Sequence, residues 1–316
     1  MFEDKPFVTM VPAVDSQSPA SKDFTQYYID LCAALAEPDV TLEEGRRWFN
    51  RWGDYGFEPT GVSYNLDELD GVTCMWADFE GCDKDRVLLC VHGGGYTYGS
   101  MYSHRKGYAT IAKALGIRGL LVNYRNTPES DWPAPSDDVL AVYKELLKRG
   151  YKPEHIAVTG DSCGGAMSIP LALRIREEGL PMLACIMPIS PWCDLEATFP
   201  IYDTNDKDVL NPKEAIIAFG DVLKNAGIDV RDPHLAPMYI EDMTGFAPMY
   251  ITVGGYENFV DEDVYVGDIA YRSGVEVKVD IVAEMQHSFQ QICGGCKDAD
   301  DQIARFAAWA RPKLGL

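Results

Sequence analysis

Thr159-Gly160-Asp161-Ser162-Cys163-Gly164-Gly165 sets a serine between glycines where a short β-branched run gives way to a helical pattern. A serine hydroxyl is a weak nucleophile, and it needs a base beside it and an exposed, fixed position. The G-x-S-x-G spacing is that of a nucleophile elbow, a strained strand-to-helix turn that lifts the hydroxyl above the sheet. Small flanking residues let the backbone double back at close range. The helix N-terminus behind Ser162 favours developing negative charge. A glycine-rich turn without chemistry has similar letters, but the strand–turn–helix context argues for the elbow.

Val91-His92-Gly93-Gly94-Gly95-Tyr96 follows another apolar run. Consecutive glycines let bare N–H groups converge on one point, which a developing oxyanion requires. Residues 93–99 do not fit GxGxxG, so a dinucleotide loop is the weaker reading. A hydrolytic serine of this kind is followed by an acid and then a base, in the order Ser, Asp/Glu, His. Of five histidines, His92 precedes the serine, His104 sits in a helical pattern, His155 opens a strand and His234 lies beside Pro233. His287 follows the last strand in a loop and is the expected base. Two carboxylates compete for the acid. Glu257 comes just after the run 249–253, where it can project toward His287, and is favoured. Asp261 falls at the start of the following helix, where a carboxylate interacts well with the macrodipole without any catalytic role.

The elements that must hold these residues are legible as a rhythm. Apolar runs at 62–66, 72–79, 86–91, 119–123, 155–159, 184–189, 249–253 and 275–282 alternate with amphipathic patterns at 104–115, 136–149, 163–178 and 262–272. This predicts a mostly parallel eight-stranded sheet with helices on both faces, its first two strands an antiparallel pair. Residues 1–60 hold two helical patterns, near 21–36 and 42–52, the second opened by the capping box Thr41-x-x-Glu44. Residues 191–247 are irregular and aromatic. Both segments are expected to form a helical cap over a core of residues 61–190 and 248–316. The run 275–281 alternates charged and apolar residues, as an edge strand does, and an edge needs charge, cover or a partner. A homodimer through this strand is one expected protection, and the strand's own charges are the other.

Composition narrows the partners. Hydrophobic residues are 47% and charged residues 24% of 316, the mix of a globular enzyme. Against 49 Asp and Glu stand only 28 Lys and Arg, a formal net charge of −21. Such a surface repels phosphate backbones, so nucleic acid and anionic membranes are excluded as expected partners. The opening Met1-Phe2-Glu3-Asp4 lacks the layout of a secretory leader, and nine cysteines then read as reduced thiols in a cytoplasmic protein. Cys293-Gly-Gly-Cys296 is a single CxxC with no second pair to complete a zinc ribbon. Asp203-x-Asn205-x-Lys207-Asp208 echoes a calcium loop, but Lys replaces a ligand and Asp stands at the required glycine. No metal is expected.

These motifs together resemble the hormone-sensitive lipase family of α/β-hydrolases, the bacterial esterases with HGGG and GDSAGG motifs. The resemblance runs over about residues 62–316 and includes Tyr124-Arg125-Asn126-Thr127-Pro128-Glu129, Ser190-Pro191-Trp192-Cys193-Asp194-Leu195 and Met285-Gln286-His287-Ser288-Phe289-Gln290. It implies the α/β-hydrolase fold and a serine carboxylesterase that needs no cofactor. It also implies that the N–H groups of Gly94, Gly95 and Cys163 form the oxyanion hole. Relatives usually have Ala at position 163 and Asp-Pro-Leu at 257–259, so Cys163 and Glu257 are departures. Only the N–H of Cys163 is required, and the wider superfamily does use Glu as the acid. Tyr96, Tyr98 and Trp192, with Trp48 and Trp52, are the aromatic residues expected near a substrate pocket. A small or medium uncharged ester is the expected substrate. A lactone is the alternative for the same triad, and a catalytically silent ligand-binding protein of this fold is the reading from another class.

Overall fold

The structure, a computed structural model, describes residues 4–316. Residues 1–3, with most of the acidic opening, lie outside them. Nine strands form one sheet in the order β1-β9-β8-β7-β6-β4-β5-β3-β2. The strands are β1 (Val8–Val11), β2 (Val62–Leu69), β3 (Val72–Phe79), β4 (Asp83–Val91), β5 (Ile117–Val122), β6 (Ile156–Asp161), β7 (Cys185–Ile189), β8 (Met249–Gly254) and β9 (Val277–Val282). β2 pairs antiparallel with β3, and β3 with β5; every other pairing is parallel.

The helices are α1 (Pro19–Leu35), α2 (Leu42–Asn50), α3 (Met101–Leu115), α4 (Ala134–Lys148), α5 (Cys163–Glu177), α6 (Ile201–Thr204), α7 (Lys213–Asn225), α8 (Val260–Arg272) and α9 (Lys297–Ala310). Side chains of α4, α5 and α8 pack with Leu89 and Ile251 on one face. Those of α1, α3 and α9 pack with Leu88, Cys90 and Tyr250 on the other. Central strands are buried on both faces, which is why they read as unbroken apolar runs. Cys293 and Cys296 lie inside the second of these cores.

Three expectations about the sheet's periphery are corrected. The sheet has nine strands, not eight, because Val8–Val11 adds one. Residues 1–60 are therefore not all cap: their first strand belongs to the core sheet. The run 275–281 is not a free edge, since β1 pairs with β9 in parallel from Val8↔Val279 to Val11↔Val282. The alternation there has another cause. Asp280 is fully buried; it accepts from Tyr250 Oη and from Arg305 Nε at 3.2 Å, and its other oxygen is ion-paired with Lys278 Nζ at 3.3 Å. The charged positions of β9 build an ion cluster against α9 instead of facing water.

The capping box holds: Thr41 Oγ1 accepts from Glu44 N–H at 3.2 Å, and Glu44 Oε2 accepts from Thr41 N–H at 3.0 Å. It fixes the start of α2, whose Arg46 reaches Glu129 at 2.5 and 2.7 Å and donates to Thr97 O at 3.0 Å. No helix among the described residues is long and apolar enough to cross a membrane.

Candidate active site

Ser162 stands between β6 and α5 with φ 54° and ψ −126°, a left-handed backbone uncommon for a side chain larger than glycine. The turn closes so tightly that a Cβ on Gly164 would lie 2.1 Å from Val91 O, which only glycine avoids. Ser162 N–H donates to Ile189 O at 3.0 Å, and Ser162 O accepts from Trp192 N–H at 3.1 Å. The elbow is thus pinned to the segment that leaves β7.

The glycine loop leaves β4 beside it. Gly94 has φ 120°, and a Cβ there would sit 2.2 Å from Tyr98 O. Asp161 Oδ1 accepts from Gly93 N–H at 3.0 Å and from Tyr108 Oη at 2.5 Å. At the loop's far end, Tyr96 N–H donates to Cys163 Sγ at 3.2 Å, and Tyr124 Oη donates to His92 O at 2.7 Å. Arg125 grips Asp138 with its backbone and guanidinium at 2.7–3.0 Å. The Tyr124–Glu129 stretch is therefore a brace for the glycine loop. Burial pushes Asp161 up to about 6, against the pull of Tyr108, His287 and Gly93.

Glu257 and His287 meet over the ends of β8 and β9. Glu257 Oε2 lies 2.7 Å from His287 Nδ1. Glu257 Oε1 accepts from Ser190 Oγ at 2.7 Å and Gly254 N–H at 2.5 Å. The acid loop is stitched to the histidine loop by Gly255 N–H to Val282 O at 2.7 Å and Tyr256 N–H to Met285 O at 3.1 Å. With Nδ1–H donating to Glu257, His287 has Nε2 as a bare acceptor. Burial pushes His287 down, but the Glu257 carboxylate, with Asp208 and Asp161, outweighs it and holds the imidazole above its ordinary value. Burial raises Glu257 itself, against its bonds from His287 and Ser190.

Ser162, His287, Gly94 and Gly95 all line one cavity of about 700 Å³. Its walls are mostly apolar: Tyr28, Leu31 and Leu35 of α1, Trp52, Trp192, and Ile216 and Phe219 of α7. Of the expected aromatics, Tyr98, Trp52 and Trp192 are there. Tyr96 is not. It is buried in the core between Trp132 and Trp192, with its hydroxyl toward Leu235 O, because its N–H is held inward by Cys163. Trp48 stacks on Arg51 outside the cavity. Cys163 is fully buried beneath the loop.

Asp261 lies in the first turn of α8, with its carboxyl beside the Ile201 backbone instead of the histidine. His234 bridges Asp232 and Glu177 at 2.9 and 2.8 Å, away from the cavity. Asp208 of the calcium-like stretch braces a turn: Oδ1 accepts from Leu210 and Asn211 N–H, and Oδ2 from Asn258 N–H at 2.8 Å. One buried cluster, Cys193, Glu262 and Asp263, has metal-ligand atoms within 4.8 Å of one another. Both Glu262 oxygens are already used by Cys193 N–H at 2.7 Å and Tyr202 Oη at 2.8 Å, which makes this carboxylate a bracket between chain segments.

Sequence reading gave Ser190 and Asp208 no part at the Glu257–His287 pair and did not place α1 in the cavity wall. Ser190 stands two residues before Trp192 with nothing local to mark it as a partner of Glu257. The α1 wall had a signal, since Phe24, Tyr27, Tyr28 and Leu31 form one helical stripe.

A family profile described as alpha/beta hydrolase fold matches residues 88–291. An acetyl-hydrolase of Streptomyces hygroscopicus is 32% identical over 207 residues, 64% of this chain and 67% of that protein. A crystal structure of an esterase from the bacterial hormone-sensitive lipase family superposes with a TM-score of 0.88 at 30% identity, covering 94% of this chain and 99% of that one. The esterase EstE5, in a crystal soaked with p-nitrophenyl butyrate, superposes with a TM-score of 0.86 at 27% identity, again over 94% and 99%.

Proposed function

The chain belongs to the hormone-sensitive lipase family of α/β-hydrolases, and from that membership we propose a carboxylic ester hydrolase that works through Ser162, His287 and Glu257. The observation that carries this reading is the 2.7 Å contact between Glu257 and His287 Nδ1 in a loop that faces the same cavity as Ser162. His287 Nε2 takes the Ser162 proton as Oγ attacks the ester carbonyl. The oxyanion is received by the N–H groups of Gly94, Gly95 and Cys163. Glu257 holds the imidazole in the productive tautomer and stabilises the imidazolium. The alcohol leaves with the proton from His287, and a water activated by the same nitrogen releases the acid and restores the hydroxyl.

The apolar cavity walls favour small to medium uncharged acyl and alcohol groups. Residues 12–60 and 191–247 act as the cap that supplies those walls. The relative named an acetyl-hydrolase and the p-nitrophenyl butyrate soak of EstE5 agree with short acyl esters. The test is rapid-mixing kinetics with p-nitrophenyl acetate and butyrate beside a panel of lactones. A burst of nitrophenol equal to the enzyme, followed by slower turnover, is expected. Turnover of lactones alone would contradict the ester assignment.

A further inference from the structure

A second, much smaller cavity of about 20 Å³ adjoins Asp161 and is lined by Trp52, His104, Tyr108, Ser288 and Gln290 among others. These residues are all buried. Three carry a buried polar atom with no hydrogen-bond partner among the described residues: Trp52 Nε1, His104 Nε2 and Gln290 Oε1. Buried polar atoms are rarely left unpaired, because each then forfeits its hydration without return.

The chemistry of the three atoms is complementary. Trp52 Nε1 only donates and Gln290 Oε1 only accepts. Gln290 Nε2 already donates to Thr252 Oγ1 at 3.3 Å, which leaves Oε1 as the end of the amide without a partner. Ser103 Oγ donates to Ser100 O at 3.0 Å, so it accepts from His104 Nδ1 at 2.8 Å, and the ring proton sits on Nδ1. His104 Nε2 is then a bare lone pair facing Asp161 Oδ1 at 3.4 Å, where two acceptors oppose each other.

We propose that this cavity binds one buried water that accepts from Trp52 Nε1 and donates to His104 Nε2 and Gln290 Oε1. The volume fits a single water, whose site needs roughly 10–15 Å³ and two to four polar partners. A cation is excluded by the Trp52 N–H, which points a positive edge inward. The water fastens three segments together. Trp52 belongs to the turn Arg51–Asp54 of the N-terminal segment, His104 to α3, and Gln290 to the turn Phe289–Ile292 just after His287. It also relieves the opposition at Asp161, the residue that holds Gly93 and precedes Ser162. Gln290 and Trp52 are thereby positioning residues for the glycine loop and the histidine loop. That catalytic consequence rests on the proposed triad, whereas the occupancy of the site does not.

The experiment is a crystal structure of the full chain at a resolution that shows ordered water, joined to kinetics of Gln290→Met. A single peak within about 3.2 Å of all three atoms is expected. A cavity without density, or side chains turned onto protein partners, would overturn the water site. For Gln290→Met, kcat on a p-nitrophenyl ester is expected to fall about tenfold, the worth of one hydrogen bond, with KM within about twofold. Replacing Trp52 by 3-benzothienylalanine, which exchanges the indole N–H for sulfur in a ring of nearly the same shape and so keeps the cavity wall, repeats the kcat test should Gln290→Met not fold, and the double variant should fall no further than either alone. Unchanged kcat in both single variants, or losses that simply multiply, would overturn the positioning role even with the water in place.

Discussion

Glu257 and Asp261 lie four residues apart, and their environments separate their roles. Glu257 is fully buried against His287 and receives two further hydrogen bonds, whereas Asp261 is half-exposed at the start of α8. Glu257→Gln is expected to lower turnover about a thousand-fold or more, since a neutral amide neither fixes the imidazole tautomer nor stabilises its charged form. Asp261→Asn should act on thermal stability and leave kcat within a few-fold. The pH dependence follows from His287. In the proposed mechanism its base form takes the serine proton, so kcat/KM should be lost as pH falls through an inflection lying above 6.5, the ordinary histidine value. The carboxylate of Glu257 is the largest influence raising that inflection. The residual activity of Glu257→Gln should therefore titrate at lower pH than the parent, and an unmoved or higher inflection would deny Glu257 this role.

At the scale of elements, legibility followed periodicity. β3 was readable to the residue and α5 to within one, because their apolar patterns and glycine boundaries are local facts. The positions of Ser162 at the β6–α5 turn and of His287 in the loop after β9 were readable because a G-x-S-x-G turn and a loop after the last strand are both sequence-local. β1 was not, since four residues with an exposed Met10 are too short to declare a strand without β9 alongside. The same omission made 275–281 look like an edge. Tyr96 failed as a pocket residue for a related reason: the hydrogen bond from its own N–H to Cys163, distant in sequence, turns it inward. The cover that β1 gives has a consequence. A chain beginning after Val11 would leave the edge of β9 unpaired, and unpaired edges recruit other strands. Light scattering should show the truncated chain's mass climbing with concentration more steeply than that of the full chain. Identical curves would mean that β1 has no protective role.

For the whole molecule, a formal charge of −21 surrounds a cavity whose walls are mostly apolar. An ester bearing a carboxylate should be repelled at low salt, so its kcat/KM should rise with ionic strength while that of a neutral ester stays level. Equal salt dependence for both would place the field elsewhere. The central claim is that one hydroxyl in the chain, that of Ser162, forms the covalent intermediate, and mass spectrometry of the intact protein after an organophosphate tests it most directly. A single adduct that maps to Ser162, absent from Ser162→Ala together with about a million-fold of the turnover, is the predicted result. An adduct at another residue, or one that persists in Ser162→Ala, would contradict the account.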